Sequence, residues 1–172
     1  MKMKKLFMIT LIAGLITSLN VSAQQDKSKR VSPPAKVSQT LSSGADISID
    51  YSRPSVKGRS MSELTPSGKI WRTGANEATV FETSKDVKIK GKSLPAGKYS
   101  VYTIPGEKEW IIIFNKAWNQ WGTVYKDTED ALRVTVKPMK SDKFVEMMTF
   151  DISKGGKVSL TWADTQVNFK VK

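Results

Sequence analysis

Residues 98–122, KYSVYTIPGEKEWIIIFNKAWNQWG, decide how the rest of the chain is read. Residues 99–104 and 110–114 are apolar runs rich in aromatic and β-branched side chains. Pro105-Gly106 opens a short polar turn between them, which is the signature of a β-hairpin. The second run, Trp110, Ile111, Ile112, Ile113 and Phe114, is apolar on both faces of the pleat. Such a strand cannot lie at a wet edge, so it is expected to be central and covered. It runs into Asn115, Trp118, Asn119, Gln120 and Trp121, a connection crowded with amides and indoles.

Outward from this hairpin, short alternating runs repeat. Val37 and Leu41 share one face, and Ile47, Ile49 and Tyr51 alternate with Asp46, Ser48 and Asp50. Residues 78–83 and 87–89 are further strands. Lys90-Gly91-Lys92-Ser93 is a turn rather than a phosphate-binding loop, since the first glycine of that motif is missing and Leu94-Pro95 forbids the helix that must follow. Residues 53–70 carry Pro54, Gly58, Pro66 and Gly68 among basic residues and show no period. They predict a long loop with one helical turn near residues 61–64. Residues 123–125 are read as a short strand, and Leu132, Val134 and Val136 as another. Residues 144–152 are read as a strand on which Glu146 interrupts the apolar face. The last stretch reads as a hairpin: Val158, Leu160 and Trp162, a turn at Ala163-Asp164, then Val167, Phe169 and Val171. That turn lacks the glycine such loops prefer. The expectation is all-β: one antiparallel β-sandwich, jelly-roll-like or immunoglobulin-like, of about nine to ten strands at spacings of about 8 to 12 residues.

The N-terminus reads differently. Lys2, Lys4 and Lys5 precede an apolar run over residues 6–19, and Val21-Ser22-Ala23 fits a cleavage site. A cleavable signal peptide over residues 1–23, cut after Ala23, is expected, since the run is short of the roughly 20 residues that span a bilayer. No transmembrane segment is expected after that cleavage, and the expected compartment is periplasmic or extracellular. Residues 24–34 are polar and read as a disordered leader, leaving residues 35–172 for the sandwich. The full 172-residue chain carries +12, and the signal removes three lysines and no acid, leaving about +9. Its lysines fall singly at outward strand positions, including Lys88, Lys90, Lys137, Lys170 and Lys172. They read as a solvated surface, which disfavours nucleic acid as a partner.

The chain has no cysteine and no histidine. That excludes disulfides, the serine–histidine triad, and metal sites built on imidazole or thiolate. Asp127, Glu129 and Asp130 do not match a calcium loop. Glu107 and Glu109 sit at an exposed hairpin tip, where nothing would raise one carboxyl as general acid. No cofactor and no metal are expected. Two clusters remain. In residues 71–77, WRTGANE, Arg72 offers a rigid fork for an anion, or for an internal acid such as Glu77. In the second, Trp118 and Trp121 suit stacking on sugar rings, with Asn115, Asn119 and Gln120 bonding hydroxyls. The same residues equally suit a cap on the core.

Residues 51–59 (YSRPSVKGR), 71–79 (WRTGANEAT), 94–100 (LPAGKYS) and 113–122 (IFNKAWNQWG) resemble an exported bacterial family, domain of unknown function 2911. The likeness runs from about Pro34 to the C-terminus. After Arg59 the family is glycine-containing and more hydrophobic, whereas this chain reads SMSELT. The resemblance implies an exported, mainly β domain of the Bacteroidetes type, and no reaction. The function expected is a non-catalytic binding module for a glycan or a small anionic molecule, using Arg53, Arg72, Asn76, Glu77, Asn115, Trp118, Asn119 and Trp121. The alternatives are an envelope structural or partner-binding protein, and an enzyme in which Glu77 is general base and Arg72 holds an oxyanion.

Overall fold

The computed structural model describes residues 26–172, and the expected signal peptide and its cleavage site lie outside them. Ten strands follow: β1 (Pro34–Thr40), β2 (Asp46–Ser52), β3 (Thr79–Thr83), β4 (Val87–Ile89), β5 (Lys92–Leu94), β6 (Gly97–Ile104), β7 (Trp110–Asn115), β8 (Asp130–Val136), β9 (Pro138–Ile152) and β10 (Lys157–Lys170). The alternation that predicts them is visible in their burial. In β2, Ile47, Ile49 and Tyr51 are buried and Asp46 and Asp50 exposed; in β8, Leu132, Val134 and Val136 are buried between exposed Arg133 and Thr135.

A six-stranded antiparallel sheet has the order β1-β2-β3-β6-β7-β8. The apolar ribbon β7 is paired on both sides, through Tyr102↔Ile113 to β6 and Ile112↔Val134 to β8. The second layer is the long hairpin β9–β10, with β4–β5 attached by the bridge Ile89↔Val171. The core lies between the layers. Phe114 meets Phe169 at 5.8 Å, Tyr51 meets Phe150 at 5.0 Å, and Trp71 stacks on Trp162 at 5.6 Å. The fold is an all-β sandwich.

The C-terminal reading is corrected. Residues 157–170 form one continuous strand, not a hairpin. The buried positions change frame from Val158, Leu160 and Trp162 to Val167 and Phe169, as expected, but a β-bulge makes the change. Ala163 takes a left-handed φ of 51° there, and β9 answers with extra residues between Lys140 and Val145. The reversal comes instead at residues 153–156. Gly156, at φ 84°, is required in that turn because a Cβ would overlap the Val171 carbonyl.

Two smaller readings change as well. Residues 123–125 are not a strand. Glu146, an interruption of the apolar face in the sequence, pins the basic loop to β9. Its carboxylate accepts hydrogen bonds from the Ser55 hydroxyl and the Lys57 amide. Within that loop the expected helical turn is α1 (Met61–Leu64), started by a capping box between Ser60 and Glu63. Among the described residues, no helix is long and apolar enough to cross a membrane.

Candidate functional site

Ser100, Tyr102, Ile113 and Asn115 are all almost wholly buried. They alternate with Val101, Ile112 and Phe114, which enter the sandwich core, so they lie on the opposite face of the sheet. That face must have its own cover, and residues 116–126 supply it. The Asn115 amide donates to the Lys126 carbonyl and to Asp130 Oδ1, each at 2.8 Å, and its oxygen accepts from the Ala117 amide at 3.0 Å. Ser100 donates to the Ala117 carbonyl at 3.0 Å. Gln120 donates to the Tyr102 phenol and the Val124 carbonyl, and the Tyr102 ring lies 4.8 Å from that of Tyr125. Tyr125 in turn donates to Asp130, which Arg133 also holds. Burial, and then the Asp130 carboxylate, push the Tyr125 phenol up to about 12. The loop is therefore fixed from beneath by buried polar bonds.

From the side the same loop is tied to the link after α1. Gly122 donates to the Asn76 carbonyl, Ala78 to the Gln120 carbonyl, and Glu77 bridges Trp121. Gly122 is needed at this approach, since a Cβ would come within 2.9 Å of both the Arg72 side chain and the Asn76 carbonyl. The two clusters of interest in the sequence, residues 71–77 and 115–121, are thus neighbours in the fold.

The expected site residues divide into three groups. Trp118 and Trp121 are 39% and 48% exposed, and Asn119 beside them is exposed. Among the described residues neither indole stacks on another ring, but Lys98 Nζ lies 5.0 Å from the Trp118 ring centroid. Arg72 is half-buried along its stem, and among the described residues its guanidinium has no hydrogen-bond or ion-pair partner. These four can meet a ligand. Asn76 and Glu77 adjoin them but are engaged. Asn76, at φ 60°, donates to the Ser32 carbonyl at 3.0 Å. Glu77 pairs with Lys27 at 3.0 Å and Arg30 at 2.7 Å, not with Arg72. Asn115 and Arg53 serve the fold. Arg53 donates to the Met148 carbonyl and to Thr149, tying the basic loop to β9.

Residues 26–33, expected within a disordered leader, are therefore held against the domain by Glu77 and Asn76. A short 3-10 turn at Lys27–Lys29 presents Lys27, and Arg30 follows it. Desolvation works to raise the Glu77 carboxyl, but its own backbone amide, Lys27 and Arg30 together outweigh it and lower the group from 4.5 to about 2. A pKa depressed on folding adds stability that is fully present above the unfolded value. That stability is lost as pH falls from 4.5 toward about 2. Melting temperatures of wild type and Glu77→Gln should accordingly differ at neutral pH and converge through that window. A gap that stays constant down to pH 2 would show that the latch does not depend on the ionised carboxylate.

A groove of 480 Å³ on the outer face of β1–β3 is lined by Ser38, Gln39, Thr40, Asp46, Ile47, Ser48, Glu82 and Ser84. Register connects it to the loop. Ser38 lies opposite Ser48, Ser48 opposite Glu82, and Glu82 opposite Lys98. Lys98 sits 3.7 Å from Glu82 and also faces the Trp118 ring. A straight polar row therefore crosses four strands and ends on an indole, roughly 14 Å at the usual strand spacing. Lys98 and Trp118 lie at the open end of the β6–β7 hairpin, whose register brings them together. Among the described residues, no group of three or more acidic side chains is placed to hold a metal ion.

No curated protein and no solved structure matches the chain at significant similarity. The family described as Protein of unknown function (DUF2911) matches residues 32–171, the whole sandwich from just before β1 to the end of β10. The match covers most of the chain, and this chain belongs to that family.

Proposed function

We propose that the protein is a non-catalytic binding module whose ligand is a glycan lying across the outer face of the six-stranded sheet. The observation that carries this reading is the row Ser38, Ser48, Glu82 and Lys98 ending at the exposed Trp118, with Asn119 and Trp121 on the same pinned loop. Hydroxyls, a carboxylate and an ammonium in line can bond successive sugar hydroxyls. A flat indole offers its face to the apolar side of a ring. The platform is rigid before binding, because Asn115 and Gln120 hold it from below, so little ordering entropy opposes association.

The enzymatic alternative, with Glu77 as general base and Arg72 holding an oxyanion, draws less support. Glu77 is ion-paired to Lys27 and Arg30 and held near a pKa of about 2, so it is a weak base and does not face Arg72 as a partner. A partner-binding reading draws on one observation. Met139 and Phe144, on the bulged half of β9, are 53% and 62% exposed. Chemical cross-linking in envelope extracts tests it, and a stoichiometric cross-link lost in Phe144→Ser would favour it over the glycan.

Replacing both indoles, Trp118→Ala with Trp121→Ala, should abolish glycan binding and move stability by less than about 1 kcal/mol, since neither side chain fills the core. A glycan array followed by titration calorimetry and a thermal melt gives both readouts. A large fall in melting temperature would show that the indoles are structural, and unchanged binding would remove them from the site.

A further inference from the structure

We propose that the glycan recognised at this surface is acidic, and that Arg72 beside Trp121 receives its carboxylate; this rests on the glycan reading above. Every other arginine of the described residues is already engaged. Arg30 donates to Glu77, Arg53 to Met148 and Thr149, Arg59 to the Ser55 and Val56 carbonyls, and Arg133 to Asp130 and Tyr125. Arg72 alone has no acceptor among the described residues, yet its stem is half-buried and packed where Gly122 leaves room for it. The stem is thus packed while the fork stays unneutralised, which suits two parallel bonds to an incoming carboxylate.

Glu77, on the same link, does not pair with Arg72. Glu77 carries two cations of its own, Lys27 and Arg30, so the ground around Trp121 holds more positive than negative charge. At Trp118 a cation also lies near an indole: Lys98 faces that ring, although Glu82 is its ion-pair partner, whereas Arg72 packs at Gly122, the residue after Trp121. An indole beside a cation matches a pyranose that has one apolar face and a carboxylate at its rim, which is the chemistry of a uronic acid. A neutral sugar would leave the Arg72 fork unsatisfied. A free small carboxylate would satisfy the fork and leave the indole faces and the hydroxyl row unused.

The test is titration calorimetry at fixed ionic strength with three probes: a hexamer of galacturonic acid, its methyl ester, and a hexamer of glucose. A fourth arm uses free galacturonic acid to separate polymer from monomer. The acid hexamer is expected to bind about ten-fold or more tighter than its ester. Arg72→Gln should abolish that preference. Lys88→Gln, which removes the same charge from the distant β4–β5 hairpin, should keep it, and so separates a specific site from general attraction to a basic protein. Equal binding of acid and ester hexamers would overturn the acidic inference while leaving the glycan reading intact. No binding of any hexamer would overturn both. Free galacturonic acid binding as tightly as the hexamer would overturn the polymer assignment. Acid binding that survives Trp118→Ala with Trp121→Ala would remove the indoles while keeping the guanidinium.

Discussion

Phe114→Ala is expected to destabilise the domain by about 4 kcal/mol, the cost of truncating a fully buried aromatic without collapse of the space left behind. Phe114 is completely buried, and its ring packs edge-on to Phe81 at 5.2 Å and to Phe169 at 5.8 Å. The first neighbour lies in its own sheet and the second in the facing layer. The cavity would therefore open between the two sheets, where neither backbone can close it alone. Urea denaturation should show a reduced midpoint with the slope retained, and a melting transition lower by roughly 10 °C. A loss under about 1 kcal/mol would mean that the layers are not joined through this residue.

One position along the strand, Asn115→Ala should cost about 3 kcal/mol for a different reason. No large apolar volume is removed. Instead the Lys126 carbonyl, Asp130 Oδ1 and the Ala117 amide lose their partner inside a covered site, and each unpaired group carries its own desolvation cost. The consequence extends beyond stability. Residues 116–126 are held over Tyr102 and Ile113 by this amide, so the loop carrying Trp118 and Trp121 should loosen and glycan binding should weaken with it. The exposed-indole variant acts oppositely, with binding lost and stability kept. Hydrogen exchange of residues 116–126 distinguishes the two: it should quicken in Asn115→Ala and stay unchanged in the indole variant. Equal exchange in both would place the loop's anchor elsewhere.

These two neighbours show where local pattern carries structural information and where it stops. Phe114 and Asn115 point to opposite faces of β7 because successive side chains in any strand do. That much follows from alternation, as does the central place of a ribbon apolar on both sides. Whether Asn115 meets solvent or a buried loop does not follow from alternation. An asparagine next to two indoles has the composition of a sugar site, and it also has the composition of a loop closure. The structure assigns Asn115 to the closure and leaves Trp118, Asn119 and Trp121 at the surface. Arg53 divides from Arg72 in the same way: each is a basic residue near a proline or glycine, but among the described residues only the first finds acceptors, on β9.

The bulge in β10 is the plainest case of an ambiguous signal. A change of hydrophobic frame between Trp162 and Val167 arises equally from a reversal of the chain and from extra residues within one strand. Both invert which parity of positions faces the core. The choice rests on what lies alongside. Here β9 runs past the break, pairing with residues on both sides of it, and the reversal is displaced to the glycine-containing turn at residues 153–156.

Taken alone, the amino-acid order determined a layered antiparallel β domain, the burial of the 110–114 ribbon, and a chemistry without thiols or imidazoles. Each of these depends only on residue type and on the two-residue period of a pleated chain. The tertiary structure alone decided that Lys27 and Arg30 occupy Glu77, that Asn115 is sealed beneath its loop, and that Lys98 stands at the end of a row starting from Ser38. Those facts depend on which strands lie side by side. Pairing between distant segments is set by the packing of the whole core, and the periodicity of any one segment is compatible with many neighbours.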